Sequence, residues 1–431
     1  MAIAAPHSTA QAGPQTSLRR NAALNLIANA GYAACQWAVL LILARAGSAH
    51  LLGLFSLGMA VTAPLMLLTN LQLRNLLATD VGDDRYALGH YLALRLVTLS
   101  VAVLLIAAIA LALRGDREEF PIILAAAAAK SVESIGELGY GLLQRHEHFA
   151  RLSVSMLAKG VLGLAGMSIG VLSGAGVVAG TLLMGGGWLT VLICFDLPNA
   201  IALVGWAELV PIVERSRLTR LLRSAAPLGL VACMLSLNAT IPIYVLEHWH
   251  GASAVGNYTA ISALLAAGNM AVIAIGNACA PRLARYYACG LPGPFRSLLL
   301  RLIAVSGGLG LLGTLAALVI GGPLLAAIYG PAYANQGSLL VWLCAATALS
   351  WSASACGFAV TAARQLKVQL PLSLCATVTC LVASLLLIPA YGPLGAAMSC
   401  LIMSAVLAIA YASTAFYTSY SFPATMALTK T

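Results

Sequence analysis

The chain contains 431 residues, of which 61% are hydrophobic and only 8% are charged, and its net charge is +10. Soluble domains carry about 25% charged residues, so this composition excludes a set of soluble domains and indicates a polytopic membrane protein. The +10 charge would favour nucleic-acid binding in a soluble protein, but basic loops and anionic lipid account for it here. We therefore expect membrane lipids, and no nucleic acid, as partners.

Twelve apolar stretches have about the 20 residues that a membrane-spanning helix requires. Residues 1–20, rich in Ala, Pro, Gln, Ser and Thr, precede them and predict a disordered cytoplasmic tail. The ten cysteines lie mostly inside apolar runs, which argues against a disulfide framework. The predicted spans are 22–44, 54–73, 92–113, 121–142, 152–174, 178–204, 225–246, 257–279, 300–320, 337–360, 368–389 and 393–414.

Basic residues fix the expected orientation, because Lys and Arg concentrate in cytoplasmic loops. With the N-terminus inside, only Arg45, Arg114 and Arg117 fall in outer loops, and Lys130 lies within a span. The other 19 of the 23 Lys and Arg residues then lie on the inner side. A wrong number of spans would scramble this bias. The sequence therefore predicts twelve spans with both termini in the cytoplasm.

A long basic inner segment, 206–224, divides the spans into two sets of six. Its RSRLTRLLRS section predicts an amphipathic linker on the inner membrane surface between an N-lobe, 21–205, and a C-lobe, 225–415. Residues 416–431 are predicted to form a cytoplasmic tail. The sequence LLGLFSLGMAV resembles AVGNYTAISAL, with Phe55 and Tyr258 in equivalent places. Two six-span repeats of this kind are parallel, related by a pseudo-twofold axis along the membrane normal.

The predicted outer loops are short, and the longest, around 321–336, is mostly apolar. A membrane sugar polymerase or ligase would need sizeable outer loops with convergent polar groups. This alternative is therefore disfavoured, and no catalytic residues are predicted.

The fourth span carries three charges in its interior. At 100° per residue, Lys130, Glu133 and Glu137 fall within an arc of about 60°. Each charge in hydrocarbon costs at least about 2.5–3.5 kcal/mol, so this stripe must face protein or a water-filled cavity. Three further charges lie in or near spans 3, 5 and 6: Arg95, Lys159 and Asp196. Three positive and three negative charges predict ion pairing across spans 3–6, either as a gating and ion-coupling network or as static pairing within the lobe.

Five stretches covering nearly the whole chain carry a family resemblance. They are LGLFSLGMAVTAPLMLLTNLQLRNLLATD (52–80), GLLQRHEHFARLSVS (141–155), APRLARYY (280–287), GGPLLAAIYGPAYANQGSLLVWL (321–343) and PAYGPLGAAMSCLI (389–402). In order and spacing they resemble the polysaccharide-export flippases of the MOP superfamily, which also holds the multidrug (MATE) extruders and the lipid II flippases. The resemblance implies two six-helix lobes, alternating access and an oligosaccharide on a polyprenyl diphosphate as the substrate.

Amide side chains are candidates for sugar contacts, because they both donate and accept hydrogen bonds. Asn25, Asn29 and Gln36 share one face of the first predicted span. Hydrogen bonding between helices is the alternative role. The remaining candidates are Asn70 and, as a possible counterpart in spans 7 and 8, Asn238, Asn269 and Asn277.

Arginines at the inner ends of spans are candidates for diphosphate binding, because the guanidinium fork pairs two oxygens at once. These are Arg74, Arg282, Arg285, Arg301 and Arg364. The general inner-side charge bias is the alternative explanation for each. Arg74 is favoured because it ends LTNLQLR, where Asn70 and Gln72 indicate a wet face.

The sequence thus predicts an all-α bacterial inner-membrane flippase that moves a lipid-linked oligosaccharide repeat unit outward for surface polysaccharide assembly. An H⁺ or Na⁺ gradient and polysaccharide polymerase or export machinery are possible partners. The HEH at 146–148 is expected to be a solvated loop, and no metal or cofactor is predicted; a Walker motif is also absent from the sequence. A MATE-type drug or cation antiporter is the main alternative, although an acid-dominated, aromatic-lined cavity would suit it better than balanced charges and 6% aromatics.

Overall fold

A computed structural model describes residues 18–80, 86–112, 118–363 and 365–418. Throughout these ranges the regular structure is helical, as predicted. The first half comprises α1 (Leu18–Ile42), α2 (Ala49–Asn70), α3 (Leu73–Thr79), α4 (Leu88–Ala112), α5 (Glu119–Arg145), α6 (Phe149–Leu172), α7 (Gly176–Val191) and α8 (Leu197–Val204). The second half comprises α9 (Arg215–Ala263), α10 (Ala266–Ala288), α11 (Pro292–Tyr329), α12 (Gly337–Ala362), α13 (Leu366–Tyr391) and α14 (Pro393–Thr418).

Breaks inside spans reconcile these helices with twelve membrane passes. Helices α2 and α3 form one pass, interrupted at Leu71 and Gln72, whose φ angles are 53° and 51°. A π-helical turn, Leu192–Asp196, joins α7 to α8. Within α9, Gly251 adopts φ 74° and ψ 177°, a conformation open to glycine, so α9 holds the seventh pass and the start of the eighth. Helix α10 completes the eighth pass.

Ten helices of the described chain are long and apolar enough to cross a membrane by length and composition alone. The two passes outside that set are α5, which contains the three-charge stripe, and the eighth pass, which is divided between α9 and α10. The predicted number of twelve is confirmed. Polar content and a helix break, respectively, explain why composition alone does not find these two.

Two inter-span segments differ in form from simple loops. The basic residues 215–224 form the first turns of α9, continuous with the seventh pass. Ahead of them the connecting segment is held against α4, where the Ile212 amide donates to the Gly89 carbonyl at 3.0 Å. The expectation of a loop over 321–336 is wrong in part: α11 continues to Tyr329, and a 3₁₀ turn, Pro331–Gln336, follows.

The N-lobe (α1–α8) and the C-lobe (α9–α14) meet at a reciprocal crossing of α2 and α9. A Cβ added at Gly53 would overlap the Ala252 carbonyl, and one added at Gly256 would overlap the Ala49 carbonyl. Each residue of one contact lies 203 positions from its equivalent in the other, as do Phe55 and Tyr258. Small residues let the two backbones approach closely. The contact pattern agrees with the predicted pseudo-twofold repeat.

At the predicted outer end, further contacts join the lobes. The Arg45 Nε donates to the Ile328 carbonyl at 2.5 Å, and its terminal nitrogen donates to the Ala327 carbonyl. The Trp37 indole donates to the Tyr329 hydroxyl at 3.3 Å. Away from this end, α1 packs mainly on α6, and α10 packs on α11 and α12. The conformation is therefore closed at the predicted outer end.

Candidate transport site

A polar cavity of about 490 Å³ lies among α2, α3, α4 and α5, and we call it the charged chamber. Its volume falls in the range of small-molecule sites. Its lining consists of Ala63, Met66, Leu67, Asn70, Gln72, Leu73, Arg74, Asn75, Arg95, Lys130, Glu133, Ser134, Glu137 and Gln144.

Helix α5 supplies the charged wall because its two faces differ. Lys130, Glu133 and Glu137 line the chamber, as the stripe in the sequence predicts. Alanines of the preceding AAAAA run, including Ala126 and Ala129, are buried against other helices. Their small side chains permit close helix packing on one face of α5, while the charged side chains of the other face line the chamber.

Glu133 links α5 to α1. Its carboxylate accepts from Lys130 Nζ at 2.7 Å and from the Tyr32 hydroxyl at 2.9 Å. Gln36 Nε2 in turn donates to the Tyr32 oxygen at 2.7 Å. A partly buried carboxylate with one cation and one neutral donor is well compensated. A movement of α1 would thus change the surroundings of Glu133.

Arg74 reaches the chamber from α3. Its Nη1 donates to Glu137 at 2.9 Å, and its Nε donates to the Gln144 side-chain oxygen at 3.2 Å. Arg74 and Glu137 are 22% and 28% exposed, so the pair is accessible from the cavity. The left-handed pair Leu71–Gln72 redirects the chain just before Arg74. This redirection places a guanidinium, paired to a carboxylate, in the chamber wall.

Arg95 is almost completely buried at 1% exposure. Its Nη1 donates to the Asn70 side-chain oxygen, which also accepts from Ser134 at 2.6 Å. Its Nε has no protein partner among the described residues. Arg95 thus contributes positive charge to the chamber wall with no carboxylate in direct contact.

Lys159 and Asp196 lie behind the chamber wall and do not line it. The Lys159 ammonium sits 4.6 Å from the Tyr140 ring centre, and Asp196 accepts from Ser155 at 2.5 Å. A Cβ at Gly136 would lie 3.3 Å from Lys159 Nζ and 3.8 Å from Asp196 Oδ2. Both groups therefore flank the backbone at Gly136, and no ion pair joins them within 4.0 Å.

The predicted ion pairing across spans 3–6 is wrong in this conformation. Within the described residues, the one pair formed inside the predicted set, Lys130–Glu133, lies within a single helix. Glu137 pairs instead with Arg74, which was assigned to the substrate. The chamber lining therefore contains three basic side chains and two carboxylates: Arg74, Arg95, Lys130, Glu133 and Glu137. The six predicted charges were balanced, whereas the charges that line the chamber have an excess of one positive charge.

A second cavity, of about 560 Å³, lies between the lobes, and we call it the interlobe cavity. Ala63 and Lys130 line both cavities, so the two adjoin at these residues. Its lining consists of Tyr32, Ala33, Gln36, Trp37, Leu40, Phe55, Ser56, Met59, Ala60, Ala63, Lys130, Trp188, Ala239, Thr240, Ile243, Thr259, Ala263 and Ala266. Lys130 is the charged side chain of this lining.

The predicted amides separate into two groups. Gln36 lines the interlobe cavity and Asn70 the charged chamber. Asn29 bonds to Asn25 within α1, and Asn238 accepts from Thr377 at 2.7 Å. Asn269 and Asn277 are exposed on α10, and neither cavity includes them.

Of the predicted arginines, Arg74 alone lines a described cavity. Arg282, Arg285 and Arg301 are exposed on α10 and α11, and Arg364 lies outside the described residues. Sequence reasoning missed Tyr32 and Gln144. Tyr32 lies on the same α1 stripe as Asn29 and Gln36, and Gln144 lies two turns after Glu137, so helical spacing could have found both.

Fold and site together define a multi-pass, all-helical membrane protein with two six-helix lobes and a charged chamber. The family model described as polysaccharide biosynthesis protein matches residues 18–287, more than half of the chain. The chain belongs to this family.

A curated relative and solved structures agree with this assignment. Capsular polysaccharide biosynthesis protein CapF of Staphylococcus aureus is 24% identical over 387 residues, covering 89% of this chain and 96% of CapF. The lipid II flippase MurJ, in an inward closed conformation, superposes with a TM-score of 0.74 at 10% identity, over 93% of this chain and 88% of MurJ. A multidrug resistance MATE transporter of the MOP superfamily, in an inward-facing conformation, gives 0.67 at 14% identity, over 95% of each chain. These structures share the fold.

Proposed function

We propose that this protein is a flippase that moves an oligosaccharide on a polyprenyl diphosphate from the inner to the outer leaflet. The observation that carries the proposal is the excess positive charge of the charged chamber. A diphosphate is multiply anionic and needs cationic donors once water is removed. The family membership and the relative named for capsular polysaccharide biosynthesis support the same substrate class.

Arg74 is the proposed diphosphate ligand. In this structure its guanidinium donates to Glu137 and Gln144, and both hydrogen bonds lie at the chamber surface. An arriving diphosphate replaces Glu137 as the partner of Arg74, since both offer anionic oxygens in a matching geometry. Lys130 and Arg95 add positive charge beside it. When the substrate leaves, Glu137 pairs with Arg74 again, so the Arg74 charge stays balanced in the empty site.

The interlobe contacts support alternating access as the mechanism. The reciprocal α2–α9 crossing and the Arg45 contacts close the predicted outer end in this conformation. The substrate enters from the inner side, and separation of these contacts releases it outward. The prenyl chain stays in lipid throughout, because its transfer out of hydrocarbon is unfavourable.

The Glu133 network is the proposed link between the chamber and the gate. Glu133 connects α5 to α1 by accepting from the Tyr32 hydroxyl at 2.9 Å, and Lys130 of the same helix donates to it at 2.7 Å. Protonation of Glu133, or binding of Na⁺ to its carboxylate in place of the Tyr32 hydroxyl, would weaken this connection. Coupling to an H⁺ or Na⁺ gradient, with polymerase or export machinery taking the product, completes the proposal.

No observation specifically favours the antiporter alternative. A cationic drug would need an acidic cavity, whereas the charged chamber has more basic than acidic side chains. The lining of the interlobe cavity includes Lys130 and no carboxylate.

Deletion of the gene followed by complementation tests the proposal. Loss should abolish surface polysaccharide and accumulate lipid-linked precursor in the inner leaflet, and the wild-type chain should restore both. Drug sensitivity measured in the same strains separates the alternatives. Unchanged polysaccharide together with raised drug sensitivity would refute the flippase and favour the antiporter.

A further inference from the structure

The interlobe cavity has a chemistry unlike that of the charged chamber it adjoins. Its walls are mainly alanine, large aliphatic side chains and aromatic rings, including Trp37, Phe55 and Trp188. We propose that this cavity binds the sugar attached to the diphosphate, and that it selects a sugar in which one hydroxyl is replaced by hydrogen or by an acetamido group, whose methyl is apolar. The inference rests on the proposed function, because the diphosphate must occupy the charged chamber.

The shared wall sets which part of the substrate reaches the cavity. Ala63 and Lys130 line both spaces, so a diphosphate beside Lys130 lies at the junction. One end of the diphosphate carries the prenyl chain, which remains in the membrane. The other end carries the first sugar. This sugar is the group that lies next to the interlobe cavity, between the lobes.

Few groups in the cavity can satisfy sugar hydroxyls. Ser56 donates to the Leu52 carbonyl of its own helix at 2.7 Å. Gln36 uses Nε2 for Tyr32 and keeps its side-chain oxygen as an acceptor. The hydroxyls of Thr240 and Thr259 have no protein partner in the described chain, but both oxygens are buried and do not reach the cavity surface. Such a lining leaves several hydroxyls of an ordinary hexose unpaired, which disfavours its binding.

Replacing one hydroxyl by hydrogen or by an acetamido group reduces this mismatch. A deoxy position removes a hydroxyl that would lack a partner. The side-chain oxygen of Gln36 can accept the N–H of an acetamido group. The methyl of that group packs among apolar side chains such as Met59 and Leu40. Aromatic rings of the lining can stack on the C–H face of the sugar ring.

Binding of short-chain substrate analogues to the full-length protein in nanodiscs tests the inference. The probes are citronellyl diphosphate and its glucosyl and N-acetylglucosaminyl derivatives, followed by calorimetry and by the fluorescence of Trp37 and Trp188. The N-acetylglucosaminyl probe should bind on the order of tenfold more tightly than the glucosyl probe, as expected for an apolar group in an apolar pocket. Equal affinities, or tighter binding of the glucosyl probe, would overturn the inference.

A matched pair of variants locates the selectivity. Met59 lines the interlobe cavity, and Leu67, two turns further along α2, lines the charged chamber. Met59→Gln adds hydrogen-bonding groups at similar size and should remove most of the preference for the acetamido probe. Leu67→Gln should leave that preference unchanged. Selectivity that responds to Leu67→Gln and not to Met59→Gln would contradict the assignment.

Bare citronellyl diphosphate separates this inference from the proposed function. Binding of this probe that is weakened by Arg74→Ala supports the charged chamber as the diphosphate site. No binding, or binding indifferent to Arg74, would refute that function. Methyl glycosides of glucose and N-acetylglucosamine then test the cavity independently of the diphosphate, and the same acetamido preference is expected.

Discussion

The two lobes share one repeat and differ in their charges. All six charges predicted within the spans lie in the N-lobe, where Arg74 joins them. Contacts between helices of the C-lobe include neutral ones, such as Asn238 with Thr377 at 2.7 Å and Tyr258 with Cys400 at 3.4 Å. Both lobes supply the reciprocal glycine contacts. In the proposed mechanism both lobes therefore contribute to the gate, whereas the diphosphate is bound by the N-lobe.

The largest expected effect is the loss of Arg74. Arg74→Ala removes the accessible guanidinium of the chamber, and hydrogen bonds to charged groups contribute about 1.5–3 kcal/mol each. We expect transport of lipid-linked oligosaccharide to fall about 10- to 100-fold in proteoliposomes. Arg282→Ala, in the exposed part of α10, is the C-lobe control and should retain near-normal transport. Equal losses in both variants would remove the proposed asymmetry.

Neutralising Glu137 should separate binding from turnover. Glu137→Gln frees Arg74 of its carboxylate partner, so a diphosphate probe should bind more tightly. Release should slow, and transport should fall on the order of tenfold. Glu133→Gln should also reduce transport, through α1, without tighter binding. Full activity of both variants at normal expression would assign the α5 stripe to a static role.

The comparison of the two lobes extends to the proposed gate, where Arg45 of the N-lobe contacts α11 of the C-lobe. Arg45→Ala removes the donors to the end of α11, which stabilise closure by about 1 kcal/mol at an exposed site. The outward-open population should rise about fivefold, as measured by distances between spin labels on the two lobes at the outer end. Arg45→Lys keeps the positive charge but loses the planar guanidinium. Its outward-open population should therefore lie between those of the wild type and Arg45→Ala. An unchanged distance distribution would show that the Arg45 contacts do not hold the gate.

The smallest expected effect concerns the connection between the lobes. Hydrogen bonding from Ser216, and then the charge of Arg217, holds the pKa of Glu214 below its usual 4.5. Glu214 also lies 3.6 Å from His90 of the N-lobe. Its contribution to stability is present above pH 4.5 and is lost as pH falls through the lowered pKa. The Tm of wild type should slightly exceed that of Glu214→Gln at pH 7, and the difference should vanish in acid.

Topology follows from sequence because apolar length and loop charge are local properties. The α5 stripe was predictable for the same reason, since helical periodicity places its three charges on one face. The Arg74–Glu137 pair was not, because it depends on left-handed φ angles at Leu71 and Gln72, two residue types that rarely signal such a turn. Charge balance across spans 3–6 was a misleading guide for this reason.

A polar cavity between the lobes was expected, and its mainly apolar lining escaped prediction on different physical grounds. Its lining residues, such as Phe55, Met59 and Ile243, have the composition of an ordinary helix interface. Only the separation of the lobes distinguishes a cavity wall from a packed core. The asparagines within the predicted spans were, in contrast, expected to line a cavity. Asn25, Asn29 and Asn238 instead form hydrogen bonds within their own lobe.

The contacts at Gly53 and Gly256 give the proposed outer gate one contact region with two equivalent halves. Ala252 covers one glycine and Ala49 covers the other, on the same pair of helices. A rigid movement of α2 away from α9 separates both contacts together, so a state in which only one contact is broken is not expected. Opening of the gate is therefore expected to be all-or-none, and a bulky residue at either glycine should wedge the whole contact region apart.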